Sequence, residues 1–208
     1  MLTSDLVRER TPEARFFIAE GDPPSKQSIL RAALKLFVKH GLAGTNVRMI
    51  GAEAGYTNPA MFKFFETKDA LALYLFERCY ERLYHSIERA AAREPFRDGL
   101  AGVLDGSLSL IEEDLEAFLF VQDSLRELWP RLPASARKHS ILRTLRRLFE
   151  RGIREGAVTG YRSPEVPVAA FVGLMAQFAR MRYFGEAEGE VPLWRGELSL
   201  ALTRLVNA

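Results

Sequence analysis

Apolar side chains recur along this chain at spacings of three and four residues, and no sustained alternation rich in Val, Ile and Thr interrupts them. That pattern predicts an all-α protein. Gly21-Asp22-Pro23-Pro24 is a strong breaker that sets an N-terminal arm, residues 1–22, apart from the first helix. The first helix opens at Ser25, a residue able to cap it, and carries Ile29, Ala33, Leu36 and Phe37 as one stripe before Gly41 ends it. A short second helix begins at Thr45 or Asn46, either of which can cap it, and turns Val47, Ile50 and Ala54 inward ahead of Gly55. Gly55 to Thr57 forms a tight turn. Thr57 can cap a third helix over 58–65, with Pro59 in the first turn, where its missing N–H costs nothing. Thr67 caps a long helix, favoured by Asp69 in its first turn, that runs through Leu71, Leu75, Cys79 and Leu83 toward Glu94-Pro95. At ~1.5 Å per residue it is long enough to bridge a head and a body. Further helices are expected over 96–114, 115–128, 135–155, 164–184 and 193–207, about nine in all.

Between Ile29 and Tyr74 a long helix, a compact second one, a glycine-containing turn and a short third one make the layout of a helix-turn-helix. In that layout Val47, Ile50, Ala54, Tyr56 and Met61 lock the second helix to the third, and the free face of the third enters a major groove. The expected organisation is therefore the arm, a helix-turn-helix domain over 23–70, and a helical body over 71–208. Charge supports the division. Ser25 to Lys68 holds Lys26, Arg31, Lys35, Lys39, Arg48, Lys63 and Lys68 against Glu53 and Glu66, a net +5, while the whole chain of 208 residues carries only +2. The remainder is net negative, so the basic character belongs to one segment, as phosphate binding requires; a solvated face is the plainer alternative.

Within this stretch Ile29-Leu30-Arg31-Ala32-Ala33-Leu34-Lys35-Leu36-Phe37, then Thr45-Asn46-Val47-Arg48-Met49-Ile50-Gly51-Ala52-Glu53-Ala54-Gly55, then Phe62-Lys63-Phe64-Phe65-Glu66-Thr67-Lys68-Asp69-Ala70-Leu71 resemble the TetR family of bacterial transcriptional regulators. The likeness covers roughly the first third of the chain. It implies that Thr57, Asn58, Ala60, Phe62 and Lys63 face DNA, Thr57 and Lys63 suiting phosphates and Asn58 a base edge or a phosphate. It also implies backbone contacts from Lys68, through its side chain or the helix N-terminus it opens, and from Thr45 and Arg48. Three positions depart from the family's habit: Phe62 replaces a common tyrosine, Phe64 a common histidine and Pro59 a common glycine. Phe65 and Phe64 read as core, whereas Phe62 is balanced between core and DNA.

The resemblance further implies a homodimer on a palindromic operator, repression as the usual outcome, release by a small effector bound in the body, and no enzymatic activity. The last two helices would supply the dimer interface through Val168, Phe171, Val172, Met175, Leu198, Ala201, Leu202 and Leu205, although the same stripes could be intramolecular core. Phe118, Gln122, Trp129, Phe149, Met175, Phe178 and Met181 are candidates for an effector pocket, and their apolar character suggests a lipophilic ligand.

Composition adds exclusions. With 48% hydrophobic and 27% charged residues the chain is that of an ordinary folded protein. Its single cysteine, Cys79, allows no intrachain disulfide and suits a cytoplasmic, reducing compartment; it reads as a small buried hydrophobe. No targeting or membrane-spanning segment is read. His40, His85 and His139 are scattered, and there is no His-Glu-x-x-His, paired cysteine or phosphate-cradling glycine loop, so no metal, cofactor or catalytic site is expected. The basic run from Arg137 to Arg154 alternates with leucines as one amphipathic helix with a solvated face. The competing reading is a helical ligand- or protein-binding module without a DNA role.

Overall fold

The computed structural model describes residues 17–57 and 62–207. Among these the chain is all-α, with eight α-helices, two short 3-10 turns at Trp129–Arg131 and Ala136–Lys138, and no strand. The helices are α1 Pro24–Gly44, α2 Val47–Ala54, α3 Lys68–Ala91, α4 Phe96–Glu113, α5 Leu115–Leu128, α6 Ile141–Arg154, α7 Glu165–Tyr183 and α8 Val191–Val206. The helix expected at 58–65 falls largely on residues 58–61, outside the described residues; Phe62 is helical and Lys63-Phe64 form a turn.

The long helix α3 is the axis of the molecule. Thr67 caps it, its Oγ1 accepting from the Ala70 N–H at 3.0 Å. Its buried positions Leu71, Leu75, Cys79, Leu83, Ile87 and Ala90 return every three or four residues, and they pack against α1 in the head and α4, α5 and α6 in the body. Head and body share an aromatic seam. Phe37 of α1 stacks on Phe120 of α5 at 5.7 Å between centroids, and Phe76 of α3 meets the same Phe120 ring edge-on at 6.4 Å.

The starts of α1 and α6 differ from the sequence reading because a side chain found another partner, and the start of α2 is decided between its two candidate caps. Ser25 does not cap α1, which begins at Pro24; Asp22 organises the entry instead. Its Oδ2 accepts from the Ala19 N–H at 2.9 Å, its Oδ1 pairs with Lys26 at 2.7 Å, and its carbonyl accepts from Gln27 at 2.8 Å. Phe17 and Ile18, read as part of a free arm, are buried in the core. Asn46, not Thr45, caps α2, accepting from the Met49 N–H at 3.1 Å. The helix expected from 135 begins only at Ile141, because Ser140 caps it and the Ile141 N–H is taken by the Tyr80 hydroxyl at 2.9 Å. A tail contact closes the body: the Thr159 N–H donates to the Val206 carbonyl at 2.8 Å.

The base of the body is clamped by α6. Arg151 donates to the carbonyls of Ala91 and Arg93 at 2.9 and 2.7 Å, satisfying the end of α3, while Glu155 accepts from the Phe96 N–H at 2.9 Å at the start of α4. The close approach needs Gly152, since a Cβ there would stand 2.6 Å from Val158 and 2.7 Å from the Phe96 ring. Gly152→Ala should overpack this junction by about 1–3 kcal/mol and lower the midpoint of thermal unfolding by roughly 2–12 °C, measured by circular dichroism. An unchanged midpoint would mean that Phe96 and Val158 yield freely.

Candidate nucleic-acid interface and body cavity

The helix α1 stops at Gly41, whose φ of 72° and ψ of 168° take the chain out of helical conformation. The last carbonyls of the helix are left without partners, and two side chains answer them. Thr45 is buried at 1% exposure and shares its hydroxyl proton between the carbonyls of Leu36, at 3.1 Å, and Gly41, at 2.9 Å. Lys68 reaches back from the start of α3, its Nζ 2.6 Å from the Leu42 carbonyl and 2.9 Å from that of Thr45. A cation at the negative end of a helix is favourably placed. Both residues are expected to contact DNA, Lys68 through its side chain or the helix N-terminus it opens. The side chains of Thr45 and Lys68 turn inward, because unpaired carbonyls at a partly buried helix end are costlier than a phosphate contact forgone. The N-terminus of α3 remains at the surface, with Asp69 exposed.

The other expected contacts divide by position. Arg48, Thr57, Phe62 and Lys63 are exposed, whereas Asn58 and Ala60 lie outside the described residues, as do Pro59 and Met61. Phe62, balanced between core and DNA in the sequence, is 51% exposed, while Phe65 is buried against Tyr74 at 5.3 Å and Phe64 is half-buried. Between the helices α2 ends in a Schellman cap, the Gly55 N–H donating to Ala52 and the Tyr56 N–H to Gly51. That cap throws Tyr56 outward, 39% exposed, although periodicity had placed it in the lock between helices. Tyr56 is a surface group of the turn that the sequence reading missed.

The basic segment is also sorted by its partners. Lys26 pairs with Asp22 and lies 5.1 Å from the centre of the Tyr74 ring, Lys35 pairs with Glu53 at 2.5 Å, and Lys68 is spent on carbonyls. Lys39, Arg48 and Lys63 make no hydrogen bond or ion pair with a described residue. These three are the cations the head holds ready for an external anion.

Inside the body a cavity of about 110 Å³, partly open to solvent, lies between α3, α5, α6 and α7. From α3 come Tyr80, Leu83 and Ile87; from α5, Phe118, Val121, Gln122 and Leu125; from α7, Phe171, Val172 and Met175. Trp129 closes one wall, its ring 4.7 Å from that of Tyr80. Of the expected pocket residues, Phe118, Gln122, Trp129 and Met175 line this space. Phe149 does not, being fully buried against Phe96 at 5.6 Å, nor does Phe178, which packs on Trp194 at 5.8 Å, nor does Met181. Burial pushes the Tyr80 hydroxyl up to about 12, so it stays protonated at neutral pH. Beside this wall the fold gathers groups that sequence distance concealed: Tyr84 stacks on His139 at 4.9 Å, and His139 lies 5.9 Å from His85. Among the described residues no group of three or more His, Cys, Asp or Glu is placed to hold a metal ion, and no helix is long and apolar enough to cross a membrane.

Residues 29–75, the head that carries these exposed cations, match the model described as bacterial regulatory proteins, tetR family. This head is a TetR-family domain. Solved structures extend the likeness into the body. The ketosteroid transcriptional regulator KstR2 of Mycobacterium tuberculosis aligns with a TM-score of 0.74 at 16% identity, covering 88% of this chain and 95% of that one. The MbdR regulator from Azoarcus sp. CIB gives 0.71 at 22% identity over 86% and 97%. The fatty acid degradation regulator FadR from Bacillus halodurans gives 0.66 at 16% over 89% and 97%. At such identities the likeness is one of fold: over the aligned span the chain has the TetR-regulator fold. No curated protein sequence matches it.

Behind the TetR domain, α7 and α8 end the chain, and the residues expected at a dimer interface are distributed unevenly there. Val168, Phe171, Met175, Leu198 and Leu202 are buried within the chain itself, Val172 and Leu205 are half-buried, and Ala201 is exposed. A stripe that packs on its own subunit has the same periodicity as one that packs on a partner, which is why the sequence could not divide them. The apolar groups these helices leave outside are others: Val166 and Phe184 at the ends of α7, and Leu193 and Leu200 on α8, with open space around Gly173 and Gly196.

If Lys68 is a staple of the TetR head, Lys68→Met should lower the unfolding midpoint by roughly 3–10 °C, from about 1.5–3 kcal/mol of lost charged hydrogen bonds. It should leave the dependence of DNA affinity on salt unchanged. A phosphate contact would behave otherwise, cutting the slope of log K against log salt by about one.

Proposed function

We propose that this protein is a DNA-binding transcriptional regulator, a repressor that binds a palindromic operator as a homodimer and is released by a small lipophilic effector. The observation that carries this reading is the exposed pair Arg48 and Lys63, unpaired among the described residues, around the helix-turn of a TetR-family domain, with Thr57 and Phe62 exposed beside them. Arg48, Thr57 and Lys63 are the phosphate-facing groups, Asn58 the base reader, and Ala60 and Phe62 the apolar contacts. The exposed N-terminus of α3 adds a further anion-favouring end. Lys39, an exposed and unpaired cation at the end of α1, joins the phosphate set.

The exposed faces of α7 and α8 support the dimer. Paired across a twofold axis, they would set two recognition segments about 34 Å apart, one turn of duplex. The cavity supports the effector. Its walls include α3, which begins in the head, and α5, which touches the head through Phe120, so a ligand that fits one relation of head to body better than another shifts the population between them. The mainly apolar lining supports a lipophilic effector. The reducing cytoplasm, where DNA lies, suits the buried Cys79, which forms no disulfide among the described residues.

The decisive experiment is selection of bound duplexes from a random pool, followed by salt titration on the recovered site. A palindrome should emerge, and Lys63→Ala should reduce the salt slope by about one while weakening binding. No enrichment together with no salt-dependent binding to any duplex would replace this reading with a helical ligand-binding or protein-binding module. For the assembly, light scattering should give twice the chain mass at micromolar concentration, and the pair Val166→Glu with Leu200→Glu should return the monomer mass with helicity intact. A monomeric wild type would end the dimer proposal.

A further inference from the structure

The cavity also constrains what can occupy it, through an inventory of its polar groups. No Asp, Glu, Lys, Arg or His lines the space. An ionised ligand held inside would lose its hydration with no countercharge to replace it. Four lining residues carry polar side chains besides the Trp129 indole, and only one of them, Ser107, has its proton taken by a described residue. Ser107 donates its hydroxyl to the Val103 carbonyl at 2.8 Å, and Ser140 caps α6 by accepting from the Arg143 N–H at 3.3 Å.

Ser140 keeps its proton at the edge of α6, and the two groups with most to offer a ligand are Tyr80 and Gln122. Tyr80 accepts from the Ile141 N–H, which occupies an oxygen lone pair and leaves the phenolic proton to donate; no acceptor for that proton is found among the described residues. The side-chain amide of Gln122, half-buried in the wall that α5 supplies, makes no hydrogen bond with a described residue. Both groups can donate, and one of them sits in a setting that burial keeps protonated. A buried donor left unpaired in an apolar cavity is costly, and a ligand that supplies the acceptor recovers that cost.

We infer that the body cavity takes a neutral, compact, mainly apolar molecule with one acceptor oxygen, of the ketone or ester type, which receives the Tyr80 hydroxyl proton and the Gln122 amide, and that it rejects carboxylates of the same skeleton. The inference rests on the effector reading of this cavity. It concerns binding alone, so it stands or falls independently of whether the head selects DNA. The space of about 110 Å³ suits a ligand built around one ring, given that an apolar cavity of ~150 Å³ accepts benzene. Selection against a charged relative follows from the lining; selection for the oxygen follows from two donors with nothing to give to.

Three probes that share a phenyl ring separate these terms: acetophenone, its near-isostere α-methylstyrene, and benzoate. Dissociation constants are measured on the full chain without DNA, by Trp fluorescence and by ligand-observed nuclear magnetic resonance. Acetophenone should bind at least tenfold more tightly than benzoate. Tyr80→Phe should weaken acetophenone about five- to tenfold and leave α-methylstyrene within twofold, since the ring and its packing are retained while the donor is lost. Should Tyr80→Phe disturb the start of α6, seen as a loss of helicity or a change in α-methylstyrene binding, Gln122→Leu provides the second variant, with the same expected selectivity. The inference is overturned if benzoate binds as well as acetophenone, if the variants weaken both neutral probes alike, or if none of the three binds at millimolar concentration. Acetophenone selectivity in a protein that fails to enrich any duplex would keep this inference and remove the regulator reading.

Discussion

A helix that must end near the surface yet remain fixed has to place its last carbonyls somewhere, and in this protein the end of α1 organises the head. Thr45 and Lys68 come from the two segments that follow α1 in the chain, and both hydrogen-bond to its terminal turn. One set of carbonyls therefore fixes the entry to α2 and the entry to α3 together. The angle between the helix-turn-helix and the long axial helix is set by polar contacts a few ångströms across. The Phe37, Phe76 and Phe120 rings extend the same fixation into the body by apolar contact.

The remaining architecture follows from α3 being shared. It begins among the head's surface groups, passes the aromatic seam, lines the cavity with Tyr80, Leu83 and Ile87, and ends under the grip of Arg151. Head, cavity and base are consecutive stretches of one helix. Exposed ion pairs such as Asp69 with Arg131 at 3.0 Å and Asp105 with Arg195 at 2.6 Å add orientation more than stability, since solvent screens them.

Much of this was legible in the sequence because the signals were local. Thr67 with Asp69, Gly55, and the stripe from Leu71 to Leu83 act within one turn of helix, and each produced the element it announced. The TetR-like residues located the head for the same reason. What the sequence did not disclose depends on partners distant along the chain. Thr45 could cap or be buried, and the carbonyls of Leu36 and Gly41 decided it. Lys68 could reach phosphate or carbonyl, and α1 decided that. Ile141 starts α6 because Tyr80, 61 positions away, takes its N–H. Phe149 and Phe178 had the right composition for a pocket, but the helices that would expose them pack directly on Phe96 and Trp194.

The cavity walls also differ in what else their helices do. On α5, Phe118 and Gln122 face the cavity while Phe120 between them carries the contact with the head, so a shift of that helix is felt on both sides. The start of α6 and the middle of α7 contribute Leu145, Phe171 and Val172 and pack against other body helices. Substitutions on α6 and α7 therefore reshape the cavity alone, whereas those on α5 alter the seam with the head at the same time.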